Sequence, residues 1–148
     1  SVSNLYTVFT VDGVSLPALK DTALGVVSTQ TWSPDLDNEM NNRFVADYKA
    51  KFGAYPSFYA AQAYDTMMAI DHAIGKAGSA DTEAMRAVLA KGGIPTTRGA
   101  LAMNSNQFPI QNIYLREAVM DSDGVATTKV IGTVFEDHAD AYAGDCTF

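Results

Sequence analysis

Cationic side chains are scarce here: ten Lys and Arg stand against seventeen Asp and Glu, a formal net charge of −7. An acidic surface repels phosphate backbones and anionic lipid, so nucleic acid is excluded as an expected partner. Cysteine is nearly absent. The single Cys146 cannot form an internal disulfide, so it is either a free thiol or pairs with a segment outside this sequence. With only two dispersed histidines, His72 and His138, no zinc ligand set is present. No apolar run reaches the length of a membrane span. Ser1-Val2-Ser3-Asn4 has neither the basic start nor the apolar stretch of a secretion signal. The G-x-S-x-G elbow, the Walker pattern and G-x-G-x-x-G are all missing. Gly92-Gly93 follows a helical pattern instead of opening one, so it makes no phosphate cradle. Asp35, Asp37 and Glu39 alternate as in a calcium loop but lack the loop glycine and the distal glutamate; an acidic helix start accounts for them.

What is present is a folding pattern. Hydrophobic residues make up 47% of the 148 and charged residues 18%, the balance of a chain that buries a core. Residues 5–11 read as a buried strand, and a strand so near the start suggests a mature product or a piece of a longer chain. Asp12-Gly13 reads as a turn, Ala18–Leu24 as short and ambiguous, and Gly25–Trp32 as a second β-rich run ended by Ser33-Pro34-Asp35. Met40, Phe44, Tyr48 and Phe52 recur every four residues, which predicts a helix from about Asn38 to Phe52 closed by Gly53. Ser57 is a good N-cap for a longer helix, with Ala60, Ala63, Tyr64, Met67, Met68 and Ile74 expected inward and Gly78 at its end. Asp81 caps a third helix with Ala84, Met85, Val88 and Leu89 inward, ended by Gly92-Gly93. Thr97–Met103 is a strand candidate. Ile113–Met120 and Lys129–Phe135 form a hairpin through Asp121-Ser122-Asp123-Gly124. Glu136–Phe148 reads as a loosely held polar tail. The order implies an α/β or α+β chain.

Aromatics are the one chemically suggestive class. Tyr55, Phe58 and Tyr59 cluster round Pro56 at the start of the long helix, where unpaired N–H groups carry partial positive charge. Such rings either wall a small carboxylate ligand or staple the helix entry into the core.

Several stretches together resemble one family. Asn42–Gly53 and Tyr55–Asp65 match an "F-x-x-x-Y-x-x-x-F/Y-G" helix followed by "P-S-x-Y-A-A-x-A-Y-D". Ala77–Asp81 matches an "A-G-S-x-D" link, Thr97–Leu101 a "T-x-x-G" strand, Asn106–Leu115 a final strand entry and Asp21–Val26 an "A-x-G-V" before a crossover. In order and spacing these resemble periplasmic solute-binding proteins of the leucine/isoleucine/valine-binding type. The resemblance implies an α/β fold: part of a two-lobe type I periplasmic binding protein, this chain being its C-terminal portion, with a full length roughly two and a half times longer. Residues 1–31 and 112–148 then belong to the second lobe and 32–111 to the first. The implied function is the solute-binding component of an ABC uptake transporter, periplasmic, without catalysis or cofactor. Its implied partners are a small carboxylate, an inner-membrane permease and the N-terminal part of the receptor. A ligand-sensing domain of a signalling receptor is the alternative on the same fold, and a small hydrolase the third reading.

The same resemblance implies the ligand contacts. The loop after the first strand, Thr10, Val11 and Asp12, is expected at the cleft, with Phe58 and Tyr59 as an aromatic wall. Leu24 stands where branched-chain amino-acid binders keep a glutamate for the ligand's ammonium, and a buried ammonium without a counter-charge is costly. This departure, with the runs Arg98–Leu115 and Phe135–Tyr142, resembles members that take aromatic carboxylates. Asp65 is expected to bond within its own helix neighbourhood, and Trp32 to pack in the core.

Overall fold

In the computed structural model, which describes residues 5–146, the elements run β1 (Tyr6–Val8), α1 (Leu16–Leu19), a 3-10 turn (Lys20–Ala23), β2 (Val27–Gln30), α2 (Glu39–Phe52), α3 (Phe58–Ala77), α4 (Thr82–Leu89), β3 (Ile94–Thr96), β4 (Gly99–Met103), β5 (Pro109–Met120), β6 (Ala126–His138) and a last 3-10 turn (Ala143–Asp145). The long helices begin and end where cap chemistry puts them. Asn38 accepts from the Asn41 N–H at the start of α2, Ser57 from Ala60 at α3, and Asp81 from Ala84 at α4. Each such cap contributes about 1 kcal/mol. Gly53 and Gly78 close α2 and α3 in the left-handed region, at φ 66° and 68°.

The strands form one mixed sheet in the order β1-β2-β5-β4-β3, with β6 paired to β5. β1 and β2 are parallel; β5 is antiparallel to β2, β4 and β6. β5 is the element both halves share. Its start, at Pro109 and Ile110, pairs with β4, and its stretch from Tyr114 to Glu117 pairs with β2. The β5–β6 ladder slips register between Leu115 and Arg116, leaving the Val130 N–H to the Asp35 carboxylate at 3.0 Å.

Two apolar clusters fill the interior. Val11, Leu16, Ala23 and Ala118 make a small aliphatic one beneath the sheet. Trp32, Phe44 and Ala61 make an aromatic one between α2 and α3, with Tyr48, Phe58 and Tyr64 against it. Trp32 is thus a core residue, as expected, 1% exposed, its indole N–H donating to Asn41 Oδ1 at 2.8 Å.

Three expectations are corrected. The first strand is not buried: Leu5, Tyr6 and Val8 are exposed on the free edge of β1. The expected inward face of α3 is met only in part: Ala60 and Tyr64 pack against the aromatic cluster, but the buried residues are Ala61, Asp65 and Ala73, and Ala63, Met67 and Ile74 are exposed. The tail is held, not loose. β6 runs on to His138, Asp140 accepts from the Asn106 side chain at 2.7 Å, and Ala143 is buried. Thr147 and Phe148 lie outside the described residues.

Candidate ligand site

The segment after β1 turns sharply because Asp12 organises it. The Asp12 carbonyl accepts from the N–H groups of Ser15 and Leu16, and its Oδ1 from Val14 N–H at 2.9 Å. Oδ2 reaches across the chain to the Phe58 N–H at 3.0 Å, on the first residue of α3. The approach is so close that a Cβ on Gly13 would lie 2.7 Å from the carbonyl oxygens of both Tyr55 and Pro56. Only glycine fits there. Asp12 is buried, with both oxygens committed to backbone donors.

Above this junction lie three rings. Phe9 stacks on Phe58 with centroids 5.8 Å apart, and Phe58 meets Tyr59 edge-on at 5.6 Å. Tyr59 is 61% exposed and Phe9 47%. Phe9 was not anticipated as a candidate. Its backbone is left-handed, φ 61°, a conformation that costs a bulky residue about 1–3 kcal/mol and is retained where its surroundings enforce it.

The expected contacts therefore divide. Asp12 and Phe58 are joined directly, Val11 and Thr10 precede Asp12 in the same turn, and Tyr59 flanks Phe58. Thr10 is exposed and its carbonyl accepts from the Ser15 hydroxyl at 2.7 Å; Val11 is buried in the aliphatic cluster. Leu24 stands elsewhere. It flanks the start of β2, beside which Leu5 lies, whereas Phe9 lies beside Thr29 towards the other end. It is 41% exposed.

A second contact crosses the same junction. The Tyr55 hydroxyl donates to Asp121 Oδ2 at 2.9 Å, in the β5–β6 turn, and Lys49 Nζ lies 4.0 Å over the Tyr55 ring. Burial pushes the Tyr55 hydroxyl above its ordinary pKa. Asp121 is held below its ordinary value, first by the Val125 N–H and then by Tyr55. Beside it a groove of about 410 Å³ opens between Leu16, Tyr55, Met120 and Val125.

Asp65 corrects another expectation. It does not bond within its helix neighbourhood. It accepts from the Thr97 N–H at 2.7 Å, the Thr97 hydroxyl at 3.1 Å and Arg98 Nε at 3.2 Å, clasping α3 to the β3–β4 turn. Asp35 likewise serves as a backbone acceptor, and among the described residues no group of three acidic, His or Cys side chains is placed to hold a metal.

A sequence profile described as "Periplasmic binding protein" matches residues 3–124. The chain is 36% identical over 130 residues to Leu/Ile/Val-binding protein homolog 6 of Brucella abortus (strain 2308), covering 84% of this chain and 33% of that protein. Among solved structures, a solute-binding protein of an ABC transporter from Rhodopseudomonas palustris BisB5, in complex with 3,4-dihydroxybenzoic acid, is similar at TM-score 0.77 and 31% identity, over 91% of this chain and 37% of that one. Another from R. palustris, in complex with benzoate, is similar at TM-score 0.79 and 26% identity, over 93% and 38%. The chain spans about a third of the length of the curated relative.

Proposed function

Because this chain belongs to the periplasmic binding protein family, we propose that it forms part of the solute-binding component of an ABC uptake transporter and takes a small carboxylate, an aromatic acid or an amino-acid-like one, in a cleft between two lobes. Its fold is the mixed α/β architecture of type I periplasmic binding proteins, over part of their length. The family consists of solute-binding proteins, not enzymes.

The observation that carries the ligand reading is the partly exposed ring cluster of Phe9, Phe58 and Tyr59 beside a buried carboxylate whose two oxygens each accept a backbone N–H. Stacked and edge-on rings suit a planar ring. An amino-acid ammonium needs an accessible carboxylate, and Asp12 is buried with each oxygen already accepting a backbone N–H. This favours an aromatic acid within the carboxylate class, in keeping with the benzoates bound by the two similar solved proteins. On this reading Phe58 and Tyr59 line the first-lobe side of the cleft and Thr10 and Asp12 the second-lobe side, with Val11 behind Asp12; Leu24, just before β2, is the remaining candidate. The remaining walls belong to the rest of the receptor. In this reading residues 1–31 and 112–148 form second-lobe segments and 32–111 first-lobe segments, joined by β5 and by the crossover at Trp32. The permease of the inner membrane receives the ligand, and the working compartment is the periplasm.

Thermal unfolding of the full-length gene product tests this. Benzoate or 3,4-dihydroxybenzoate at a hundredfold excess over Kd should add about 2.7 kcal/mol of stability, a rise in Tm of several degrees, with no shift from leucine. A shift with leucine and none with either benzoate would overturn the aromatic-acid reading.

A further inference from the structure

Arg116 is a cation with no access to solvent, 0% exposed in the middle of β5. Removing a guanidinium from water is costly, so its partners must be specific. They are not carboxylates. Nη1 donates to the Trp32 carbonyl at 3.1 Å, and Nη2 to the Val11 carbonyl at 3.3 Å and the Ser28 hydroxyl at 3.3 Å. Val11 and Trp32 lie just beyond the ends of the paired strands β1 and β2. Each carbonyl is followed, at once or after a short turn, by a carboxylate that bonds a distant backbone. After Val11 comes Asp12, which takes the Phe58 N–H. After Trp32 come Ser33, Pro34 and Asp35, and Asp35 takes the Ser33 hydroxyl at 2.6 Å and the Val130 N–H at 3.0 Å. Burial lowers the Arg116 pKa to about 10, and the charges of Asp12 and Asp35 oppose that fall, as two anions close to one cation must.

The geometry points to Arg116 as the positioning residue of the ring cluster: by fixing the Val11 and Trp32 carbonyls together, it sets Asp12 and Asp35 on their backbone partners and so holds Phe58 against Phe9, an inference that rests on the ligand-wall reading given above. Arg116 touches neither ring and no ligand. It acts because a planar fork spans two carbonyls at fixed separation, which a lysine ammonium on a flexible stem does not reproduce.

Amide hydrogen exchange on the full-length product tests this without ligand. In Arg116→Met the N–H groups of Phe58 and Val130 should exchange at least tenfold faster, although neither is bonded to Arg116, while amides in the middle of α2 keep their rates. Arg116→Lys, which keeps the charge and is the milder variant should the methionine chain fail to fold, should give a smaller rise at the same two amides. Benzoate affinity, measured on whichever variant folds, should fall at least fivefold, with dissociation accelerated. Unchanged exchange at Phe58 and Val130, or a rise shared equally by every amide, overturns the brace. Faster exchange at both with unaltered benzoate affinity overturns its role in positioning the rings. Should the wild type bind no benzoate, the ligand reading fails while the exchange rates still decide the brace.

Discussion

Two buried carboxylates do similar work by different means. Asp65 clasps α3 to the β3–β4 turn and is paired directly with Arg98, the two side chains 5% and 12% exposed. Asp12 clasps the turn after β1 to the start of α3, but among the described residues no cation pairs with it directly; Arg116 is bonded to the neighbouring Val11 carbonyl. In the first junction charge meets charge. In the second, charge is spread over backbone dipoles that both ions share. A direct pair is strongly destabilised when one member is removed, because the other is left buried alone. An indirect one should yield in smaller steps and stay adjustable, which suits a junction beside a proposed moving cleft.

Substitutions can break this contrast. Asp65→Asn removes the charge partner of Arg98, leaving it the Gln111 side-chain oxygen, and should cost roughly 3 kcal/mol, read as a lowered denaturation midpoint at constant slope. Asp12→Asn keeps one acceptor oxygen and strands no bonded cation, so about 1–2 kcal/mol is expected in the same measurement. If Asp12→Asn proves as costly as Asp65→Asn, the distinction between direct and indirect pairing collapses.

A pH profile sharpens the comparison with a smaller effect. Asp121 titrates below its ordinary 3.8, so its contribution is complete above that value and is lost as acid protonates the folded form. Tyr55 titrates above its ordinary 10.0, so its contribution is complete below that value and is lost as alkali ionises it. The stability gap between wild type and Tyr55→Phe should therefore be flat from about pH 5 to about pH 9 and narrow beyond either end. A gap that does not vary with pH would mean the Tyr55–Asp121 bond contributes nothing. Smallest of all, Leu24→Ala should change stability by no more than about 0.5 kcal/mol, as an exposed side chain. A loss of benzoate affinity beyond tenfold in titration calorimetry would place Leu24 at the ligand, and a change of less than about twofold would remove it from the candidates.

The helices were legible because their signals are local. Asn38, Ser57 and Asp81 act three residues away, and Gly53 and Gly78 act at their own φ. The β5–β6 hairpin announced itself through Asp121–Gly124 for the same reason. The family's sequence pattern supplied the architecture, which no local signal carries. What escaped was long-range and polar. Asp65 meets Thr97 32 residues on, and Arg116 meets Val11 105 residues back; neither pairing leaves a periodic trace. Phe9 escaped because residue type does not encode a left-handed backbone at an aromatic position. The inward face of α3 was legible only in part: Ala60 and Tyr64 pack against the aromatic cluster as expected, but the periodicity gave no sign of the buried Asp65, whose partners lie far along the chain.

Trp32 is the only tryptophan in the chain, and it sits at the end of β2 with its carbonyl on Arg116 and its indole on Asn41. Its emission is consequently an intrinsic optical gauge, within this chain, of the end of β2. An indole in a dry aromatic pocket emits in the blue, and any tilt that loosens the pocket admits solvent and reddens the spectrum. Movement there can be followed in real time, in stopped flow and without a label.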